Sequence, residues 1–109
     1  MRNNKIKNLG HVAPIAQTLI PVYTTPERYS TIVEQIIVCN RGDSTTFRIA
    51  IVEDGVPDAL DQYISYDTPI AGHSTIMMDT SIYMTSGDII RVYAGSANVT
   101  FQFFGNEDI

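Results

Sequence analysis

The sequence contains few cysteine, tryptophan and charged residues. Its 109 residues include one cysteine, Cys39, and no tryptophan, and only 17% of them are charged. One cysteine cannot form an internal disulfide, so the fold depends on a hydrophobic core. The 44% of hydrophobic residues fit a folded domain, and a length of 109 residues suffices for one domain but not for two. Cys39 lies in an apolar run and is predicted to be a buried free thiol.

Long apolar segments are also missing. No run of 18 apolar residues predicts a membrane span, and no apolar segment of the signal-peptide kind follows the basic residues at the start of the chain. We therefore expect no membrane partner, and the single free cysteine agrees with synthesis in a reducing cytoplasm.

Basic residues are scarce after position 7. Residues 1–7 hold three basic residues and no acid, whereas residues 8–109 hold four arginines and twelve carboxylates, a net charge of −8. Because an acidic body repels phosphate, we do not expect the domain to bind nucleic acid. The basic segment has two interpretations: an arm that docks on an acidic neighbour, or a solvated tail with frayed ends.

Helical periodicity is absent, and strand periodicity recurs at short intervals. Segment 30–40, STIVEQIIVCN, predicts a central strand because it is rich in β-branched residues. Its alternation places on one face Ile32, Glu34, Ile36 and Val38. Residues 45–53 alternate again with Phe47 inward and Arg48 outward, and the polar turn at 41–44 predicts a hairpin between these two strands.

Further strands are predicted along the rest of the chain. They lie at 17–23 (an edge strand), 63–67, 75–79, 89–93 and 99–103. In the last of these, Val99, Phe101 and Phe103 face the core. Seven or eight strands at this spacing predict an all-β fold, an antiparallel β-sandwich of the immunoglobulin-like or jelly-roll type.

The first sixteen residues differ from the others. Segment 9–16 is apolar without clear periodicity, and its proline excludes both a long helix and a central strand. We predict an extended N-terminal arm at 1–16 and a β-sandwich domain at 17–109. An exposed apolar arm is unfavourable in a monomer, which favours docking on another surface. The predicted contact residues of the arm are Leu9, Val12, Pro14 and Ile15.

No motif predicts catalysis. His11 and His73 have no Cys or His at ligand spacing, so no metal site is predicted. The sequence has no nucleophile elbow, no glycine-rich phosphate loop before a helix and no HExxH motif, so we expect a protein that is not an enzyme and has no cofactor. The acidic loop at 53–61 lacks EF-hand spacing and is predicted to be solvated, and the Arg-Gly-Asp triplet at 41–43 is what a turn favours.

Six tyrosines supply most of the aromatic surface. Tyrosine joins an apolar ring to a polar tip and is enriched where one side is packed and the other wet. Four of them are predicted contact residues of a subunit interface or a glycan-binding surface: Tyr23, Tyr29, Tyr63 and Tyr66. The alternative is that they cover the rim of an ordinary core, and the lack of tryptophan disfavours a carbohydrate site.

Several short motifs follow one another in a distinctive order. They are LG at 9–10, AP at 13–14, VYTTP at 22–26, IVCNRG at 37–42, TFRIA at 46–50, YISYDTPI at 63–70, GDIIRVYA at 87–94 and FFG at 103–105. This order resembles a group of small tailed-bacteriophage virion proteins over nearly the whole chain. The resemblance implies a β-sandwich that forms part of the particle and carries no catalytic residues.

Within a virion the resemblance leaves two roles. A capsid decoration (cement) protein would sit on the shell as a homo-oligomer, commonly a trimer, with its arm on the major capsid protein. A tail, baseplate or fibre adaptor or receptor-binding module would contact tail proteins instead. Small size, the lack of a second domain and the predicted arm favour cement. In a different class, the domain would be a soluble glycan- or calcium-binding module. The expected location is the virion, after synthesis in the host cytoplasm.

Overall fold

A computed structural model describes residues 6–109 and confirms the all-β sandwich. Its strands are β1 (Lys7–Val12), β2 (Ile20–Thr24), β3 (Ser30–Asn40), β4 (Thr45–Val52), β5 (Tyr63–Ile70), β6 (Thr75–Thr85), β7 (Ile89–Ala94) and β8 (Val99–Asp108), with a 3₁₀ turn at Leu60–Gln62. None of the helical structure in the described part of the chain has the length and apolar character needed to cross a membrane.

The strands form two antiparallel four-stranded sheets. One has the order β1-β8-β3-β6 and the other β2-β7-β4-β5. The pairs β1·β8, β2·β7, β3·β6 and β4·β5 nest inside one another, so the chain is a long antiparallel ribbon folded over on itself, with β4 and β5 at its closed end. Pairs β3·β8 and β4·β7 complete the sheets. This strand order is that of a jelly roll, which decides between the two sandwich types predicted from the sequence.

The core lies between the inner faces of the two sheets. Phe47 of β4 meets Phe101 of β8 edge to face, with ring centroids 5.9 Å apart and an interplanar angle of 72°. Val99, Phe101 and Phe103 alternate along the inner side of β8 and are fully buried, which confirms the period-two prediction for this strand. Cys39 is a free thiol, as predicted, but it lies on the outer side of β3 and is only half-buried, so its predicted burial is wrong.

A β-bulge at Glu34 reverses the alternation of β3. Relative to β8, β3 contains one extra residue at this point. Val33 and Ile36 therefore both face the core, while Ile32 is 40% exposed, and the predicted common face of Ile32 and Ile36 is wrong. The bulge brings the Ile32 carbonyl oxygen within 2.0 Å of where a Cβ at Gly105 would lie, so β8 requires glycine there.

The predicted division into an arm at 1–16 and a domain at 17–109 is wrong, because β1 belongs to the sandwich. β1 is an edge strand that pairs antiparallel with β8. Leu9 and Val12 pack against the core instead of extending away from it. The sandwich therefore includes a strand that the sequence interpretation assigned to the arm.

The missing periodicity of this segment has a local cause. The register of β1 against β8 shifts between Asn8 and Gly10, so a bulge interrupts the alternation over a strand of only six residues. After the strand, Pro14 is buried, whereas Ile15 is 74% exposed. Residues 1–5 of the predicted arm lie outside the described residues.

The predicted hairpin of β3 and β4 does not form, because the two strands lie in different sheets. Their connection crosses between the sheets and is organised by the buried side chain of Asn40. The Asn40 amide group donates a hydrogen bond to the Asp43 carbonyl oxygen at 2.8 Å, and its Oδ1 accepts one from the Gly42 N–H at 3.0 Å. The turn residues at 41–44 were recognised, but the strand that each neighbour pairs with was not.

Candidate functional site

The outer face of the β2-β7-β4-β5 sheet carries a group of aromatic and charged side chains around Arg48. A bulge in β5 creates it, since β5 has one residue more than β4 over the same stretch. Tyr66 and Asp67 therefore both lie opposite Arg48. Asp67 adopts the left-handed backbone conformation, with φ at 48°, that allows the extra residue to be accommodated.

Arg48 is contacted from three directions. Its Cζ lies 4.2 Å from the ring centroid of Tyr66 and 4.5 Å from that of Tyr93, its neighbour on β7. Its Nε donates to Asp67 Oδ1 at 2.6 Å and its Nη2 to Asp67 Oδ2 at 3.3 Å. The hydrogen bond to Asp67 raises the pKa of Arg48 above its ordinary value. A planar guanidinium stacks between two rings and binds a carboxylate with two N–H groups, which lysine cannot do.

Tyr63 completes what we call the tyrosine–arginine cluster: Arg48, Tyr63, Tyr66, Asp67 and Tyr93. The Tyr63 ring packs edge-on against Tyr66, with centroids 4.9 Å apart and an interplanar angle of 85°. Because Asp67 and the two rings satisfy the Arg48 charge, the cluster does not present a free cation. It presents aromatic surface, with Tyr66 49% exposed.

A pocket of about 200 Å³ adjoins the cluster at Tyr63. Its other lining residues come from β4, the connection before β2 and the segment around the 3₁₀ turn: Leu19, Ala50, Val52, Asp58, Ala59, Leu60 and Gln62. At its rim the Arg91 guanidinium donates to the Asp58 carboxylate. Pockets for drug-sized ligands span about 300–1,000 Å³. This pocket is therefore suited to one protruding side chain or one sugar ring, held by stacking on tyrosine.

Replacing Arg48 with alanine is expected to release Tyr66 and Tyr93 from their fixed orientations. Because the chain has no tryptophan, its near-ultraviolet circular dichroism arises mainly from tyrosine, and we expect that signal to fall while the far-ultraviolet spectrum is retained. Arg41→Ala is the matched control, since Arg41 is exposed and donates one long hydrogen bond of 3.4 Å to Ala97. Equal spectra for the two variants would show that Arg48 does not order the rings.

The outer face of the other sheet is apolar at its centre. In the β8-β3-β6 rows, Ile37 lies between Gln102 and Met77, and Phe104 neighbours Gln35. We call the exposed and half-exposed apolar side chains of this face the outer apolar face: Ile32, Ile37, Cys39, Met77, Tyr83 and Phe104. Met77 is 63% and Tyr83 65% exposed. Among the described residues that lie across the sheet from Cys39, Ile37 and Gln35, the charged side chain is that of Asp79.

Tyr23 belongs to a hydrogen-bonded chain at one end of the sandwich. Its hydroxyl donates to Glu107 Oε2 at 2.5 Å and accepts from the Thr31 hydroxyl at 2.8 Å, while the Lys7 ammonium ion-pairs with the same carboxylate. Burial, followed by the hydrogen bond to Glu107, raises the pKa of Tyr23 to about 12. Burial raises the pKa of Glu107, but the hydrogen bonds from Lys7 and Tyr23 outweigh it and leave that pKa below its ordinary value. These hydrogen-bonded side chains join β1, β2, β3 and β8, and their role is structural.

The lowered pKa of Glu107 makes its contribution to stability depend on pH. The folded state binds this proton less tightly than the unfolded state, so the stabilisation is complete above the ordinary glutamate pKa of about 4.3 and is lost as pH falls through the lowered value. Glu107→Gln is expected to lower Tm at neutral pH, and its deficit against the parent should shrink on acidification. Glu27→Gln, at an exposed glutamate, is the control and should show no such convergence. A pH-independent deficit for Glu107→Gln would contradict the assignment.

The predicted contact residues do not form one surface. Tyr63 and Tyr66 come together in the tyrosine–arginine cluster. The other six lie apart from it: Tyr23 in the hydrogen-bonded chain, Tyr29 half-buried beside β3, Leu9 and Val12 against the core, Pro14 buried and Ile15 exposed. The sequence interpretation missed Tyr93, Asp67 and the outer apolar face. The outward position of Arg48 in the alternation of β4 was the available signal for the cluster.

Among residues 6–109, no three His, Cys, Asp or Glu side chains converge in a way that could hold a metal ion. Comparisons with protein-family profiles, with curated proteins and with solved structures gave no significant match.

Proposed function

We propose that this chain is a structural protein of a tailed-bacteriophage particle, most specifically a capsid decoration protein that binds the major capsid protein. The observation that carries the proposal is the outer apolar face. Large exposed apolar patches on a soluble domain usually mark a surface that another protein covers. Met77 and Tyr83 are each more than 60% exposed; Ile37 lies half-exposed opposite Met77, and Phe104 is half-exposed on β8.

The fold agrees with this proposal without establishing it. Jelly rolls form many viral capsid domains, but they also form lectins and cupins. The order of short motifs in the sequence, which resembles that of small phage virion proteins, favours the first of these classes. The choice therefore depends on surface chemistry and on where the protein is found.

The protein would stabilise a particle through the surface area that it buries against the shell. A standard protein interface buries about 1,600 Å² in total, and a sheet face of this kind contributes a substantial part of one side. Repetition over many symmetry-related positions turns a weak single contact into strong overall attachment. Because β1 is part of the sandwich, the docking surface in this proposal is the sheet face and not an N-terminal arm.

The proposal is tested by adding purified protein to phage shells that lack it and counting bound copies by cryo-electron microscopy. We expect saturable, ordered density on the shell. Phe104→Asp places a charge on the outer apolar face and should abolish binding, whereas Leu60→Asp places the same charge at a 76% exposed residue elsewhere and should not. Density in the tail instead of the shell would transfer the protein to the adaptor role, and no particle density would reject a virion role.

A glycan-binding role is the second candidate, because the tyrosine–arginine cluster and its pocket offer stacking surface for one sugar ring. Isothermal titration against a glycan panel tests it. A stoichiometric heat that Tyr66→Ala removes would support sugar binding, and the absence of heat for every glycan would leave the cluster a contact for protein.

A further inference from the structure

The outer edge of β6 is open. β6 has 11 residues, and from Thr75 to Thr85 exposed side chains alternate with side chains that are half-buried or, at Met84, buried. It contains no proline, glycine or basic residue, and its charged residue is Asp79. Within residues 6–109 no strand pairs with this edge. The N–H and C=O groups of every second residue of an edge strand point outward, so the edge can accept another strand.

The other three sheet edges carry features that hinder strand addition. β1 is six residues long, begins at Lys7 and has a register shift. β2 is five residues long, contains Pro21 and is also shifted. β5 contains Pro69 and two register shifts, with Asp67 in the left-handed conformation. β6 also has one register shift, against β3 between Asp79 and Ile82, but it is longer than all three and contains neither proline nor a basic residue.

We propose that β6 pairs antiparallel with β6 of a second copy of this chain across a two-fold axis, so that two four-stranded sheets become one eight-stranded sheet. A second copy is favoured because β6 is self-complementary when the axis passes through Thr80. The pairs across the axis then join like with like on each face: Thr75 with Thr85, Ile76 with Met84, Met77 with Tyr83, Met78 with Ile82 and Asp79 with Ser81.

Charge selects this register over its neighbour. Moving the axis to Asp79 keeps the inner and outer faces matched but places the two Asp79 carboxylates directly opposite each other, which is unfavourable. With the axis at Thr80, each Asp79 faces a serine hydroxyl instead. Met77 and Tyr83, among the most exposed apolar side chains of the domain, pack against each other across the axis.

A two-fold pairing of this kind is closed. Each copy has one β6 and uses it once, so the assembly stops at two chains and does not grow into a fibre. Main-chain hydrogen bonds supply much of the affinity in strand addition, so a large apolar area is not needed. The inference does not depend on a virion role, since the pairing uses the main-chain groups of the β6 edge. It shares Met77 and Tyr83 with the outer apolar face and leaves the part around Phe104 free.

Sedimentation equilibrium tests the pairing. We expect a mass of two chains, each of 12.1 kDa. Ser81→Glu would place four carboxylates around the axis and should give the mass of one chain with an unchanged far-ultraviolet spectrum. Ser81→Lys would face Asp79 of the second copy and should keep two chains. Thr24→Glu, on the exposed side of edge strand β2, is the charge-matched control and should also keep two.

Crosslinking tests the register. In a Cys39→Ser background, a mixture of Met77→Cys and Tyr83→Cys chains should form an intermolecular disulfide on mild oxidation, and neither variant should do so alone. A parent protein that is a single chain at every concentration, a trimer insensitive to Ser81→Glu, or a pair that does not crosslink at these positions would each overturn the proposal.

Discussion

Replacing Phe101 with alanine is expected to lower the free energy of unfolding by about 3–5 kcal/mol. Phe101 is fully buried and contacts Phe47 of the opposite sheet edge to face, so its loss opens a cavity where the two sheets meet. In a domain of this size each kcal/mol shifts Tm by about 4 °C or more. Thermal unfolding followed by circular dichroism should therefore show a fall of more than about 10 °C, or no folded protein at all.

Phe104→Ala is the matched control for this prediction. Phe104 lies on the same strand three residues later, on the outer face, and is only half-buried. Its removal forfeits less apolar burial and leaves no enclosed cavity, so a much smaller fall in Tm is expected. Equal effects of the two substitutions would mean that β8 does not divide its side chains between core and surface as described.

Side-chain alternation predicted the faces of regular strands well. In β8, Val99, Phe101 and Phe103 occupy inner positions because no bulge interrupts them before Gly105, and their periodicity alone identifies the core. Alternation depends only on the local backbone, which the sequence of one strand specifies. The strand count and the sandwich class were accessible for the same reason.

Bulges account for the errors within strands. One extra residue at Glu34 moves Ile36 to the same face as Val33, and no residue type at that position indicates it in advance. The bulge between Asn8 and Gly10 hides a short strand in a segment that reads as irregular. A bulge forms where partner strands differ in length between fixed points, so it is a property of the pair and not of either sequence.

The sequence could not predict which strands pair with one another, for a related reason. A polar turn between two alternating segments fits a hairpin and equally fits a connection that changes sheets. At 41–44 the decision depends on contacts with distant loops: the Arg41 N–H donates to the Asn98 carbonyl oxygen, and the His73 N–H donates to the Gly42 carbonyl oxygen. These contacts exist only after the jelly roll has closed.

The candidate site was half predictable. Tyr63 and Tyr66 were selected because tyrosines in strands suit a surface that is packed on one side, and they do lie together. Their connection to Arg48 and Tyr93 requires the pairing of β4 with both β5 and β7, which sequence alone does not supply. The sequence interpretation therefore grouped four tyrosines by residue type, whereas in the fold the pairing of strands decides which tyrosines lie together.

Deleting residues 1–12 is expected to destabilise the whole domain, because β1 is an edge strand of the sandwich. Val12 lies opposite Phe101, and Leu9 packs against the core, so the deletion uncovers apolar surface along β8 and removes the hydrogen bonds of the β1·β8 pair. The loss should be at least that of one large buried side chain, about 2–5 kcal/mol. Removal of a free arm, by contrast, would leave Tm unchanged.

Two further variants separate the strand from the residues before it. Deleting residues 1–5 keeps every contact described for β1 and gives the reference Tm against which the longer deletion is compared. Leu9→Ala keeps the backbone pairing but removes one core contact, and its Tm should fall between those of the parent and the 1–12 deletion. If the 1–12 deletion unfolds at the parental temperature, β1 does not contribute to stability, and the predicted extended arm at 1–16 is the better description. If Leu9→Ala alone matches that deletion, packing against the core and not strand pairing is what β1 contributes to stability.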